Sequence, residues 1–296
     1  MTRPSSRARG ADLDAPPLLR VPQPGPLLPG TLVSRYDRFL ADVRLGDGRV
    51  VPVHCVNPGR MEGLVRPGAR VWVSRAPPGR PRRLAYTWEL VEDGAGQLVG
   101  ANTTVPNRLG RALLEARLLR GLGRWEELAA ERATGGGSRV DFWLRRGQQE
   151  TWVEVKNCHL VYPDGRGYFP DSVSVRATRH LAELTELVAA GHRSVVLFTV
   201  QRPDARAVRP SDAHDPTFAQ AVRRAARAGV RFRAVRVRPT TAAYEILGTI
   251  PVDLRPYGVA RRRAWRAAND PISGTEVRAM RRPRRPASAG RRRIDE

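Results

Sequence analysis

Over most of the first hundred residues, hydrophobic and polar positions alternate with period two. Such alternation marks strands with one buried face. Val51, Val53 and Cys55 share a face of the segment 49–56, which follows a turn at Gly46-Asp47-Gly48. The stretch 31–45 reads as one long strand or a bent pair, and further strands are expected at 69–75, 82–92 and 97–101. Five or so short strands at this spacing predict a small closed barrel of OB type, with an SH3-like barrel open as the alternative.

Beyond residue 104 the period changes. Leu109, Leu113, Ala116 and Leu119 recur at helical spacing behind Asn107, a good N-cap residue. A second short helix or turn is expected over 125–133. A helix over 175–190 carries Leu181, Leu184, Leu187 and Val188 on one face and stops at Gly191. Asp215-Pro216 opens another, over 217–228, which Gly229 ends. Near-continuous apolar strands at 194–200 and 230–237 complete an α/β unit, a mixed sheet flanked by helices. The fold class is therefore α+β with two domains, a small β-barrel, OB-like or SH3-like, at 30–104 and an α/β domain at 105–254. Seven prolines and little apolar periodicity predict a disordered arm at 1–29. A disordered Arg-rich tail is expected at 255–296.

Charge narrows the partners. The chain carries 52 basic against 29 acidic residues, a net charge of +23. A field of this sign favours polyanions, nucleic acid and most simply DNA, over acidic metabolites. The tail alone holds 13 arginines against four acids, and the body is basic without it. Such a tail adds salt-dependent, sequence-independent affinity for phosphates. Cys55 and Cys158 are the only cysteines and form no CxxC pair, so neither a disulfide framework nor a zinc site is expected. A reduced, cytoplasmic setting follows. No apolar run reaches membrane-spanning length and no signal-peptide core is visible, so no membrane association is expected.

The densest chemistry lies at 138–158. Two strands, 139–145 and 150–157, flank Gly147-Gln148, and glycine in the first central position suits a type II′ hairpin turn. Centring the turn there sets Val140 against Val155, Phe142 against Val153 and Leu144 against Thr151, one clean apolar face. On the other face Asp141 falls opposite Glu154, and Arg139 opposite Lys156. Like charges across a ladder are destabilising. Two such pairs side by side mark a functional site, and a divalent cation between the carboxylates resolves the conflict. Of the 52 basic residues only Lys156 is lysine. An ammonium is compact and its proton can be tuned, whereas guanidinium keeps its charge. Position 156 thus calls for an ammonium in particular.

The set Asp141…Glu154-Val155-Lys156 resembles the PD-(D/E)xK nuclease signature. SRVDF at 138–142, VEVKN at 153–157, YFPDSV at 168–173 and His180-Leu181 together resemble the sugar fermentation stimulation protein A (SfsA) family. So do RYDRFLADV at 35–43, VHCVNPGRMEGL at 53–64, YTWELV at 86–91 and NTTVPN at 102–107. At Val56, Pro58 and Arg60 the chain departs from the family's more usual Pro-Asn-Thr-Gly-Ser pattern. Ala177 and Arg179 stand where the family usually has Gly and Lys.

The resemblance implies an OB-like domain followed by a restriction-endonuclease-like one. It implies catalytic roles for Asp141, Glu154 and Lys156. Asp141 and Glu154, with the backbone carbonyl of Val155, would hold Mg²⁺ or Mn²⁺, and Lys156 would position the attacking water. Arg139 would steady the phosphate. Arg176 and His180, four apart on one helix face, and Arg35, Arg38 and Arg60 in the barrel are candidate nucleic-acid contacts. Glu131 is a candidate extra acid on an upstream helix. Asp171 either orients the site or caps the next helix, and His159 is a further ligand or a structural residue. The implied function is DNA binding with metal-dependent phosphodiester hydrolysis. The alternative is a non-catalytic DNA-binding regulator of sugar-catabolic gene expression.

Overall fold

The structure, a computed structural model, describes residues 16–76, 79 and 83–269. The alternating N-terminal segments close a barrel from β2 (Leu27–Tyr36), β3 (Leu40–Leu45), β4 (Val50–His54), β5 (Arg70–Arg75) and β6 (Tyr86–Glu92). Strand β7 (Leu98–Gly100) extends the sheet beside β6. The long β2 pairs with β5 through its first half and with β3 through its second. A parallel pair between β4 and β6 shuts the barrel. This is the order of an OB domain, and Leu32, Val43, Val53, Val71 and Trp88 fill its interior. The bent pair expected at 31–45 is β2 and β3. Their turn carries Asp37 at φ 49° and Arg38 at φ 61°, with no glycine to announce it.

The α/β unit is built on a seven-stranded mixed sheet. Its order is β1 (Leu19–Pro22), β15 (Ala243–Ile250), β14 (Arg231–Pro239), β12 (Arg193–Val200), β10 (Gln149–Cys158), β9 (Arg139–Arg146) and β8 (Glu127–Ala133). The central β10, β12 and β14 run parallel, and the outer pairs are antiparallel. Helix α1 (Val105–Glu115) packs on one face, where Leu109 and Leu113 meet Phe142, Val153 and Leu197. Helices α2 (Val175–Ala189) and α3 (Pro216–Arg227) cover the other, over Trp143, Trp152 and Phe198. Strands β11 (Arg166–Phe169) and β13 (Ala207–Pro210) form a small parallel pair beside it.

Four expectations need correction. The arm at 1–29 is not wholly unstructured: β1 forms the sheet's edge, with Val21 buried against the core, and residues 1–15 lie outside the described ones. In the predicted tail 255–296, α4 (Ala260–Asn269) is a helix whose Trp265 packs on Tyr162, and residues 270–296 lie outside the described ones. The helix expected at 125–133 is instead β8. Its Glu-Leu-Ala-Ala-Glu run favours a helix locally, but pairing with β9 overrides it, with Glu127 bonded to the opposing Arg145 and Arg132 stacked on Trp143. Glu131 therefore sits exposed on a strand, at φ 55°. The hairpin 139–157 is not half-buried. It lies inside the sheet, and both of its faces are packed.

Barrel and sheet meet through buried polar contacts. Glu62, from the loop after β4, accepts hydrogen bonds from Tyr162 Oη at 2.9 Å and His214 Nε2 at 2.8 Å. Asp171 accepts from the Met61 amide at 3.1 Å and lies 3.3 Å from His159 Nε2. A Cβ at Gly59 would fall 2.8 Å from Asp171 Oδ2, so only glycine lets the loop come this close without a shift. Asp171 thus neither caps a helix nor joins the carboxylate site; Ser174 caps α2 and Asp215 caps α3.

Burial alone would raise the Asp171 carboxyl. The close approach of His159 and the hydrogen bond from the Met61 amide outweigh it and hold the group below the usual carboxylate range. A lowered acid stabilises the fold above its unfolded pKa of about 3.9, and that contribution fades as pH falls through the folded value. Asp171→Asn is therefore expected to cost about 2 kcal/mol at neutral pH. It should also flatten the loss of stability below about pH 4, as read by urea titrations across that range.

Candidate functional site

The hairpin's turn and register are those expected. Gly147 adopts φ 53°, and Gln149 to Val153 pair with Arg146 to Phe142 in order. The ladder then stops one pair short of Asp141 and Glu154. The cause is Asp141 itself. Its Oδ2 accepts the Val155 amide at 2.6 Å, so a side chain replaces the backbone acceptor that a continued ladder would supply. Strand β10 instead continues to Cys158 on its other edge, paired with β12. The like-charge pairs are thus not ladder partners, and Val140 turns to the core opposite that of Phe142.

Helix α1 fixes the acid from above. A Cβ at Gly110 would lie 3.0 Å from both Phe142 and Val155, so this glycine lets the helix settle onto the hairpin. One turn earlier, Asn107 Nδ2 donates to Asp141 Oδ1 at 2.7 Å. Asn107 is not the N-cap; Thr104 stands there, and Asn107 is a site residue. Its spacing of three from Gly110 placed it on the packed face and was the available signal.

Glu154 is held from α2. His180 Nδ1 and Lys156 Nζ lie 2.6 Å and 2.5 Å from the same oxygen, Oε1. The other oxygen, Oε2, is buried without a hydrogen-bond partner. His180 is buried, and its Nε2 receives Arg176 Nε at 3.4 Å. It therefore orients Glu154, which corrects its assignment as a phosphate contact. Arg176 is exposed at the outer end of this chain of contacts. Arg139 is exposed on β9, two residues before Asp141.

The two acids are inequivalent. Burial, then the charge of Glu154, push Asp141 up to about 6, against the pull of the Val155 amide, Asn107 and Lys156. Burial also acts to raise Glu154, but His180 and Lys156 outweigh it and hold that carboxyl below its usual range. Among the described residues no group of three or more His, Cys, Asp or Glu side chains is gathered for a metal. A cation here has two carboxylates for side-chain ligands. Such a donor set suits a hard ion that keeps water and takes phosphate oxygens.

In the barrel, the Arg35 guanidinium turns inward. It donates to the carbonyls of Arg38, Asn57, Gly59 and Arg60, which corrects its assignment as a strand contact. It ties the β2–β3 turn to the loop 57–60 and so sets out Arg38 and Arg60, both exposed. Phe39 stands beside Arg38 with 47 % of its surface exposed, a residue that the sequence reading passed over. His159 serves Asp171 and is no part of the site.

Comparison with known proteins agrees with this architecture. The model described as "SfsA N-terminal OB domain" matches residues 33–101, and that described as "Sugar fermentation stimulation protein RE domain" matches 104–243. The chain belongs to the sugar fermentation stimulation protein family. A homolog from Thioalkalivibrio sulfidiphilus is 43 % identical over 233 residues, covering 78 % of this chain and 98 % of the homolog. One from Geobacter sulfurreducens is 46 % identical over 229 residues, covering 77 % and 97 %. The solved structure of Pyrococcus furiosus SfsA in complex with Ca²⁺ superposes with a TM-score of 0.71 at 26 % identity, over 81 % of this chain and all of that one.

Removing Asn107 should make Asp141 harder to ionise, because its hydrogen bond favours the carboxylate. In Asn107→Ala the Asp141 carboxyl should titrate above its value of about 6, read by carbon-detected NMR of the side-chain carboxyl in metal-free buffer.

Proposed function

We propose that the chain binds nucleic acid, most simply DNA, and hydrolyses phosphodiester bonds with a divalent cation, Mg²⁺ or Mn²⁺. The observation that carries this reading is Glu154 Oε2, a buried acceptor without a partner, next to a second, half-buried acid and the chain's one lysine. Stability alone gives no reason to gather these groups, since unpaired buried polar atoms and neighbouring acids both cost free energy. The Ca²⁺ complex of the Pyrococcus furiosus relative supports a hard cation. When bound, such an ion supplies charge neutralisation at a scissile phosphate.

The chain's own residues do the rest. Asp141 and Glu154 would hold the ion, together with the Val155 carbonyl. Asn107 and His180 keep the two carboxylates aimed. Lys156 holds the attacking water and stabilises it as its proton leaves. Arg139 and Arg176, exposed at the rim, meet the flanking phosphates. Arg38, Arg60 and Phe39 add cations and a stacking ring on the barrel, the combination OB folds use for single strands. Two free buried cysteines, with the Cys158 thiol pushed up to about 12 by burial, suit a reducing cytoplasm. No helix among the described residues is long and apolar enough to cross a membrane.

Single-stranded, duplex and branched DNA, and RNA, incubated with and without Mg²⁺ or Mn²⁺, test the reading directly. Asp141→Asn should lower cleavage by about 10³-fold, near 4 kcal/mol of barrier, while filter binding barely changes. Equal loss of binding and cleavage counts against it, and binding with no cleavage in the native chain leaves a non-catalytic regulator. Lys156→Arg keeps the charge but not the tunable proton, so cleavage should drop by about 10²-fold with binding retained.

A further inference from the structure

At the turn end of the hairpin, away from the carboxylates, a cavity of about 170 Å³ opens between β9, β10, the start of β12 and the segment before β8. Arg124, Arg145, Arg146 and Arg193 line it, together with Trp125 and Gly123. Arg145 is committed to Glu127 and to the face of Trp143. The side chains of the other three arginines make no hydrogen bond or ion pair with any described residue, and all three are exposed. Glu126, which accepts the Gly147 amide, and Glu150, which lies 3.7 Å from His192, act with Glu127 on Arg145.

Arginine as such carries little weight in a chain with one lysine; the convergence does. Three exposed guanidinium groups without acid partners line one small cavity, and an anion among them would offset what repulsion the solvent leaves unscreened. Gly123 sits at φ 78°, and a Cβ there would lie 3.4 Å from Arg193 Nη1, so the wall is built from backbone that leaves the guanidinium room. The volume falls below the roughly 300 Å³ at which whole small-molecule ligands are usually held. It suits one or two phosphate groups, which guanidinium forks bind in bidentate fashion.

We propose that this cavity is a phosphate-binding site, separate from the carboxylate site, that takes a phosphate or diphosphate group. The group belongs either to a nucleic-acid backbone or to a free phosphate compound. Inorganic pyrophosphate, titrated calorimetrically into the full chain at low salt with EDTA, tests this with the carboxylate site held metal-free. The native chain should bind it. The triple variant Arg124→Gln/Arg146→Gln/Arg193→Gln should bind at least about tenfold more weakly. Arg44→Gln/Arg224→Gln/Arg227→Gln, at exposed positions on β3 and α3, removes the same three charges; it should bind as the native chain does and so controls for net charge. Displacement of a labelled single-stranded oligonucleotide by pyrophosphate assigns the site to nucleic-acid phosphates, and binding without displacement assigns it to a free phosphate compound. No binding by the native chain, or equal weakening in both variants, overturns the proposal. Neither result touches the metal-dependent cleavage reading, whose assay reports on Asp141.

Discussion

One hydrogen bond sets the form of the candidate site: the Asp141 carboxylate in place of a backbone carbonyl opposite Val155. A regular hairpin would have carried its ladder past this point and sealed both strands together. By taking the amide, Asp141 ends the ladder without leaving a buried N–H unpaired, a requirement no protein interior can ignore. The exchange leaves an acid inside the sheet, next to Glu154. Both acids are then fixed from opposite faces, Asp141 by α1 through Asn107 and Glu154 by α2 through His180. The two helices that bury the sheet's cores are therefore also the ones that aim its chemistry.

Much of this was legible in the chain, and what was not has physical causes. Strand and helix positions followed from period, because each element buries a single face or stripe. The hairpin register followed from Gly147, the one residue free to take the turn's positive φ. Like charges on facing strand positions drew attention to Asp141, Glu154 and Lys156, although the ladder assumed there stops at Phe142 and Val153. Three features stayed hidden. Strand β8 has helical composition and becomes a strand only through its neighbour. Strand β1 has four residues and no pattern of its own, and pairs across more than 200 positions with β15. Arg35 and His180 read as surface cations because nothing in sequence tells whether a charge points to solvent or to a carbonyl. Their spacing was right and their direction was not.

The loop 57–62 links the domains. Arg35 grips its carbonyls from within the barrel, while Asp171 and the buried Glu62 contacts hold it from the sheet. A loop fixed from both sides gives the exposed Arg38, Phe39 and Arg60 a set position relative to the carboxylates. Because Glu62 and His214 are fully buried, moving the barrel off the sheet would expose or orphan both groups. Separating barrel and sheet would therefore carry an electrostatic cost, beyond that of any apolar area the contact covers.

The two ends of β10 carry opposite chemistry. Glu154 stands five residues from Gln149, so at about 3.3 Å per residue the acids and the arginine cavity lie some 17 Å apart along the strand. A duplex advances about 3.4 Å per base pair, so about five steps cover that distance. An acidic centre repels the polyanion it is proposed to cut unless cations flank it, and the guanidinium groups at the cavity would supply that attraction at one end of the strand. Arg176 on α2 and the barrel's Arg38 and Arg60, all exposed, would add to it. On the proposed reading the carboxylates would need only to hold a metal ion, since long-range attraction would fall to residues outside the site.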